Sequence, residues 1–294
     1  MWFTFAIGAA FFFGLRGVLY QWTSQRPIDR NLMFIGVYIS STILALVLNL
    51  FANQTWSSGV WLGILMGVFS FLANTFLYKG YTVGRASVIA FFSGLTPVLV
   101  VLLAALLWAE TLASMQLIGF CIIILSLIVI RYKRDLQGGK YQGWQFGFLA
   151  IIFYSFTDLS SKQALLNGAS ILPLLTMMFS TSTILFSGAF LIQIRQIPSS
   201  FPGGIDKLRK LENHWTISNT LLLGAGVGLV NVLAMILKLI AFDNGITGVV
   251  SAIIALSVVV VLLYARFYLK ESMSRTEIYG VVLALIGVIV IKWM

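Results

Sequence analysis

Residues 84–130 read GRASVIAFFSGLTPVLVVLLAALLWAETLASMQLIGFCIIILSLIVI, and residues 245–291 read GITGVVSAIIALSVVVVLLYARFYLKESMSRTEIYGVVLALIGVIVI. Each is a membrane-length apolar run, a tight turn holding a glutamate, and a second apolar run. Glu110 and Glu271 stand 161 positions apart (271 − 110), as do Gly84 and Gly245, and Gly119 and Gly280. Ungapped at that offset, 12 of 47 positions are identical. Apolar helices share Val, Leu and Ile by chance, so the two glycines and the glutamate are the informative anchors. The chain is two copies of one unit, with boundaries expected at residues 1–140 and 141–294.

Working outward, 60% of the 294 residues are hydrophobic and 10% are charged, with a mean hydropathy of +0.99. Soluble domains carry roughly 25% charged residues, and a soluble core of this size has no room for so much apolar side chain. The chain is therefore an all-α integral membrane protein, because long apolar runs call for helices rather than the alternating pattern of a barrel. The net charge of +10 does not point to nucleic acid here; basic cytoplasmic loops account for it. The single cysteine, Cys121, lies in an apolar run, which excludes an internal disulfide and any cysteine cluster for zinc or iron–sulfur. The N-terminus, MWFTFAIG, lacks the basic region of a cleaved signal and is expected to be a retained first span.

A span needs about 20 apolar residues. The pattern places spans at Phe3–Tyr20, Leu32–Phe51, Val60–Tyr78, Ala86–Trp108, Met115–Ile130, Trp144–Leu165, Ile171–Ile194, Thr216–Ala241, Val249–Tyr268 and Glu277–Trp293. Five spans per copy is an odd number, so the copies enter the membrane in opposite senses, the inverted-repeat plan of many secondary transporters. One face collects Arg26, Arg30, Lys79, Arg85, Arg131, Lys133, Arg134, Lys140, Arg195, Lys207, Arg209, Lys210, Lys270 and Arg275. The face bearing both termini holds the nearly charge-free loops Phe51–Gly59 and Leu165–Leu172. The positive-inside rule predicts that both termini of a multi-pass inner-membrane protein lie outside the cytoplasm. In the basic loop 195–218, Ile205, Leu208, Leu211 and Trp215 recur at helical spacing, which predicts a short amphipathic helix on the anionic leaflet. His214, in the same loop, reads as a solvated histidine.

The run Tyr78–Gly119, with its small-residue entry, Pro97 in the fourth helix, the Glu110 turn and Gly119 in the fifth, resembles the EamA-type branch of the ten-helix drug/metabolite transporter superfamily. The second copy is similar through Glu271 and Gly280, and the likeness covers essentially the whole chain. Val258 replaces Pro97 in the second copy, so a helix break made by proline is expected in one half only. The resemblance implies a central cavity lined by helices one, three, four, six, eight and nine, with five and ten peripheral.

Ionisable residues inside a span are costly and mark a cavity or a partner. Three qualify: Arg16, Asp158 and Lys238, while Lys162 and Arg266 lie near span ends and are expected to snorkel. At about 1.5 Å per residue, Arg16 lies roughly 20 Å from the terminus-bearing face, and Asp158 and Lys238 within about 5–10 Å of it. An Arg16–Asp158 pair is therefore excluded by depth, and an Asp158–Lys238 pair is allowed. That pair either neutralises itself and ties two helices, or alternates with a proton or a cationic substrate group. Arg16 is flanked by Gly14 and Gly17, which leaves room for close approach; it either binds a carboxylate or phosphate or reaches up to lipid phosphate. Asn74, Tyr78 and Asn231 are candidate hydrogen-bonding positions, to ligand or between helices. Ser93 and Thr96, beside Gly94 and Pro97, fall where a broken backbone would present carbonyls. Phe91, Phe92 and Tyr154 are either an amine cage or filling.

Glu110 and Glu271 head the fifth and tenth helices, where a carboxylate suits the helix dipole, and are read as structural or gate-latching. No nucleophile–histidine arrangement, metal-ligand spacing or phosphate-binding loop is present, so neither enzyme chemistry nor a cofactor is expected. The expected function is secondary transport of a small organic metabolite, such as an amino acid or amine, driven by protons or a counter-substrate. The alternative is a translocase of a lipid-linked or phosphorylated headgroup, or a membrane scaffold.

Overall fold

A computed structural model describes residues 1–24, 26, 28–83, 95–135, 143–195, 216–268, 270 and 274–292. Gly84, Phe91, Phe92, Ser93, Gly94, His214, Glu271 and the amphipathic stretch 205–215 lie outside them. The described residues form α1 (Trp2–Ser24), α2 (Arg30–Ala52), α3 (Leu62–Val83), α4 (Thr96–Trp108), α5 (Ser114–Asp135), α6 (Trp144–Leu166), α7 (Ile171–Arg195), α8 (Ile217–Asn244), α9 (Thr247–Ala255), α10 (Ser257–Phe267) and α11 (Arg275–Lys292). A 3₁₀ turn, Ser58–Trp61, leads into α3. The expected ninth span is the pair α9 and α10, giving ten spans in all.

The starts of these helices follow from local chemistry. Asp29 accepts from the Leu32 N–H (2.9 Å) ahead of α2, and Thr216 accepts from Asn219 N–H (3.3 Å) ahead of α8. Ser274 and Glu277 form a reciprocal capping box at α11, with Ser274 N–H donating to the Glu277 carboxylate at 2.7 Å. Among the described residues, six segments are long and apolar enough to cross a membrane on their own: α1, α2, α3, α7, α8 and the α9–α10 pair. The α6 helix is long enough but carries Asp158 and Lys162, which lower its hydropathy. Leu106, Ile184 and Leu222 lie on the outside of the bundle with most of their surface exposed. In water such faces would drive aggregation; in lipid they are the solvated surface.

The two copies are related through their packing. Gly63 and Gly67 of α3 sit against Leu174, Met178 and Thr181 of α7. Gly224 and Gly228, 161 positions later (224 − 63), sit against Met33, Val37 and Ser40 of α2. Those α7 and α2 residues are themselves related by an offset of 141 (174 − 33). The serines repeat as well: Ser182 donates to Gly67 O at 3.0 Å and Ser41 to Gly228 O at 3.2 Å. A Cβ at Gly67 would stand 2.6 Å from Met178 O, so only glycine lets these backbones meet. The change of offset from 141 to 161 reflects the longer connection between α7 and α8.

Around these seams the core divides in two. One cluster, with Met33, Phe34, Tyr38, Met66, Phe179 and Phe186, fills the space among α2, α3, α7 and α8. The other, with Ile123, Leu127, Val249, Val250, Ile253 and Ile291, joins α4, α5, α9 and α11. Gly119 packs on Ile291 and Gly280 on Ile130, so α5 and α11 pair with each other, and α1 and α6 run between the two clusters.

The helix break does not follow proline. In the first copy α4 begins after Leu95, with Pro97 in its first turn, where the missing N–H has no intrahelical partner to lose. In the second copy Leu256 separates α9 from α10, and 256 is 161 beyond 95. Val98 N–H donates to Leu95 O at 3.0 Å, and Val259 N–H to Leu256 O at 2.8 Å, the same turn twice. Proline stands at this turn in the first copy only, as expected, and the second copy interrupts its helix at Leu256 without one. Beside both turns a crossing helix meets the backbone: Ser155 of α6 donates to Thr96 O at 3.4 Å, and a Cβ at Gly14 of α1 would stand 2.9 Å from Ser257 O.

Candidate functional site

Three polar groups occupy the interior at different depths. Nearest the terminus-bearing face, Glu110 in the turn between α4 and α5 does not cap its own helix. Its carboxylate accepts from Thr247 N–H at 3.0 Å and Thr247 Oγ1 at 3.1 Å, capping α9 of the other copy. Lys162 lies 3.7 Å from Glu110 and donates to Phe242 O at 2.7 Å and Gly245 O at 3.3 Å, the carbonyls that end α8. The ammonium is turned inward and its residue is 8% exposed, so the expected snorkelling is corrected: the open carbonyls of α8 are better partners than lipid headgroups. Four spans are stapled at one end.

Deeper, Asp158 of α6 forms an ion pair with Lys238 of α8, as their depths allow. The second oxygen of Asp158 accepts from Ser251 Oγ of α9 at 3.0 Å, and the Lys238 ammonium lies 5.2 Å from the Phe242 ring centre. The Asp158 side chain keeps 14% of its surface exposed against 7% for Lys238, so the carboxylate is the more accessible partner. Ser251 is the member that sequence reasoning missed. A serine early in a helix has no signal of its own, and only the crossing of α6, α8 and α9 brings it there.

At mid-depth, Arg16 donates from Nη1 to Asn231 Oδ1 at 2.7 Å. Its guanidinium lies 4.5 Å from the Phe13 ring centre and 5.5 Å from that of Tyr20. The reach toward lipid phosphate is therefore not taken. The flanking glycines serve packing rather than ligand approach: Gly14 lies on Val260 and Gly17 on Val261 of α10. Asn231 in turn donates to Ser41 at 3.5 Å. Beside this group, Asn74 donates to Tyr38 Oη at 3.1 Å and accepts from Tyr154 Oη at 3.0 Å, with Tyr38 and Ser70 2.8 Å apart. Tyr154 thus joins a hydrogen-bond network, while its candidate cage partners Phe91 and Phe92 lie outside the described residues. Tyr78 packs edge-on against Phe34 and faces the Arg30 guanidinium at 5.6 Å, closer to the basic face. Among the described residues no cluster of His, Cys, Asp or Glu suited to a metal is found.

A groove of about 420 Å³ opens sideways at the terminus-bearing end of α2, α7 and α8, lined by Leu48, Phe51, Ile171 and Ile236 among others. Ile236 and Ile240 face it, whereas Lys238, two residues from each, points to the other side of α8. The groove and the polar interior are separated by that helix.

Ten spans in two inverted copies, with ion-paired and hydrogen-bonded groups buried between them, define a membrane transporter of the inverted-repeat class. The family model of the EamA-like transporter family matches residues 1–132 and again residues 142–293, and the chain belongs to that family. It is accordingly a multi-pass membrane transporter of the drug/metabolite type. A comparison with curated proteins gives no significant match. Among solved structures, one crystal structure of a protein superposes with a TM-score of 0.76 over 99% of this chain and 96% of its own, at 14% identity, a likeness of fold.

Proposed function

We propose that the protein is a secondary transporter of a small organic metabolite, working by alternating access between its two copies, with Asp158 as the coupling group. The observation that carries this reading is the intramembrane Asp158–Lys238–Ser251 cluster, contributed by α6, α8 and α9. Breaking an ion pair in low dielectric is costly unless another partner arrives. A proton on Asp158, or a cationic group of the solute, supplies that partner and frees Lys238. A cationic solute group competes with the proton for this carboxylate, and an anionic one pairs with the Lys238 that protonation frees; either way solute occupancy and protonation of Asp158 are linked.

In proteoliposomes, Asp158→Asn should reduce gradient-driven uptake to the level of empty vesicles while counterflow exchange survives. Driven uptake equal to wild type would sink the coupling role. We also propose that both termini face away from the cytoplasm: Arg30, Lys79 and Arg195 lie at the helix ends on the opposite face. In a Cys121→Ala background, a membrane-impermeant thiol reagent added outside should label Ser57→Cys and spare Ser199→Cys. A lipid-headgroup translocase gains support from the lateral groove. Its separation from Arg16 and Lys238 by α8 makes solute transport the better reading.

A further inference from the structure

We propose that Arg16, Asn231 and the rings of Phe13 and Tyr20 form a binding site for the carboxylate of a small organic anion with an apolar body. This names the substrate class for the transporter reading and rests on it only in giving the bound anion a path. Charge balance is the first argument. Among the described residues, the ionisable groups in the central part of the spans are Arg16, Asp158 and Lys238; the last two pair, which leaves one positive charge over. A bare cation at that depth is unfavourable, and the described side chains give Arg16 a neutral amide and two ring faces but no carboxylate.

Geometry is the second. One N–H of Nη1 is used by Asn231, and the Phe13 and Tyr20 rings lie 4.5 and 5.5 Å from the guanidinium carbon, so among the described residues its remaining donors meet no acceptor and suit a planar, two-oxygen one. Asn231 is fixed from behind by Ser41 and is 3% exposed, so the fork is held rather than swinging. The surroundings are the third. Phe13 and Tyr20 are partly exposed and give the guanidinium an apolar border, and Tyr20 is backed by the buried rings of Phe34 and Phe186, which suits an apolar body more than a hydrated one. Asn231 and Lys238 are seven residues apart on α8, hence on one face and about 10 Å apart. An anion seated at Arg16 therefore lies one solute length from the coupling pair.

The test is a thermal-unfolding titration of purified protein in neutral-lipid nanodiscs, with benzoate, its uncharged analogue benzamide, and phenyl phosphate as probes at matched ionic strength. Benzoate should raise the unfolding midpoint and benzamide should not. Arg16→Gln should weaken benzoate about tenfold or more, whereas Arg26→Gln at the exposed helix end should leave it unchanged. Equal shifts with benzoate and benzamide, or benzoate binding untouched in Arg16→Gln, would overturn the proposal. So would a shift with phenyl phosphate and none with benzoate, which would make Arg16 a phosphate site. The wild-type comparison needs no variant, so misfolding of Arg16→Gln does not blunt it. Binding is read without transport: Asp158→Asn that binds benzoate but does not move it would leave this site standing whatever becomes of the coupling role.

Discussion

The seam between α3 and α7 and the seam between α8 and α2 are one interface built twice, whereas the polar groups lying between them are built once. Gly63, Gly67 and Ser182 have Gly224, Gly228 and Ser41 as their counterparts. By the same offsets Arg16 corresponds to Thr157 (16 + 141), Asp158 to Gly17 (158 − 141) and Lys238 to Leu77 (238 − 161). Duplication preserves what holds helices together, because a close backbone crossing tolerates only small residues. The charged groups have no such constraint from the scaffold, and their cost in the membrane means that something other than packing keeps them. Departure from the repeat is thus a guide to function that needs no knowledge of the substrate.

The staple at the terminus-bearing face tests how far that rule reaches, because it is half repeated. Glu110 has Glu271 as its counterpart, but Lys162 corresponds to Gln21 (162 − 141) and Thr247 to Ala86 (247 − 161). Lys162→Met should cost about 3–5 kcal/mol, the usual consequence of removing one partner of a buried pair. It also strips the donor from Phe242 O and Gly245 O. Glu110→Gln should cost less, since Thr247 can still donate to the amide oxygen. Unfolding in detergent, followed by far-ultraviolet circular dichroism, measures both. If Lys162→Met leaves stability intact while transport falls, the lysine belongs with the unrepeated functional groups instead of the scaffold.

A smaller effect would break the comparison more directly. Gly67→Val and Gly228→Val place the same bulk in the two equivalent seams, and each should cost about 1–3 kcal/mol through overpacking. The two losses should agree, because each glycine meets a backbone carbonyl and a hydroxyl-bearing side chain, Thr181 in one seam and Ser40 in the other. A large loss at one site and none at the other would mean that the copies share sequence spacing but not mechanical load.

Much of the fold was legible because it is periodic. Apolar run lengths located the spans, and the Glu110–Glu271 offset exposed the duplication. The same offset held more: Gly63 and Gly67 against Gly224 and Gly228 are as informative as Gly119 and Gly280, though they lie outside the stretch that first showed the repeat. Depth counting put Asp158 beside Lys238 and kept Arg16 apart, since rise per residue fixes height in a membrane. It could not supply azimuth, the direction in which a side chain leaves its helix. Hence Lys162 was expected to point outward, Gly14 was credited to a ligand instead of α10, and Ser251 and Tyr38 went unnoticed. Glu110 was placed correctly in a turn, but its partner Thr247 is 137 residues away and is found only through tertiary contact.

Pro97 gives the finest discrimination between scaffold and function. The turn at Leu95 recurs at Leu256 with Val258 in place of Pro97, so the pyrrolidine ring is not required for it, and a crossing helix, α6 or α1, meets the first carbonyl at each. At the first turn of α4, proline removes only an N–H that has no helical acceptor. Its remaining contribution is to restrict the unfolded chain, worth about 0.4–1 kcal/mol. Pro97→Ala should therefore lower stability by no more than that and leave the uptake rate within about twofold of wild type, a change of about 0.4 kcal/mol in barrier height. A loss of uptake with stability preserved would show that the ring does something in the first copy that valine does not do in the second. Leu95 and Leu256 would then be alike in backbone and unlike in role, and the rule that repetition marks scaffold would fail at the position where the two copies look most alike.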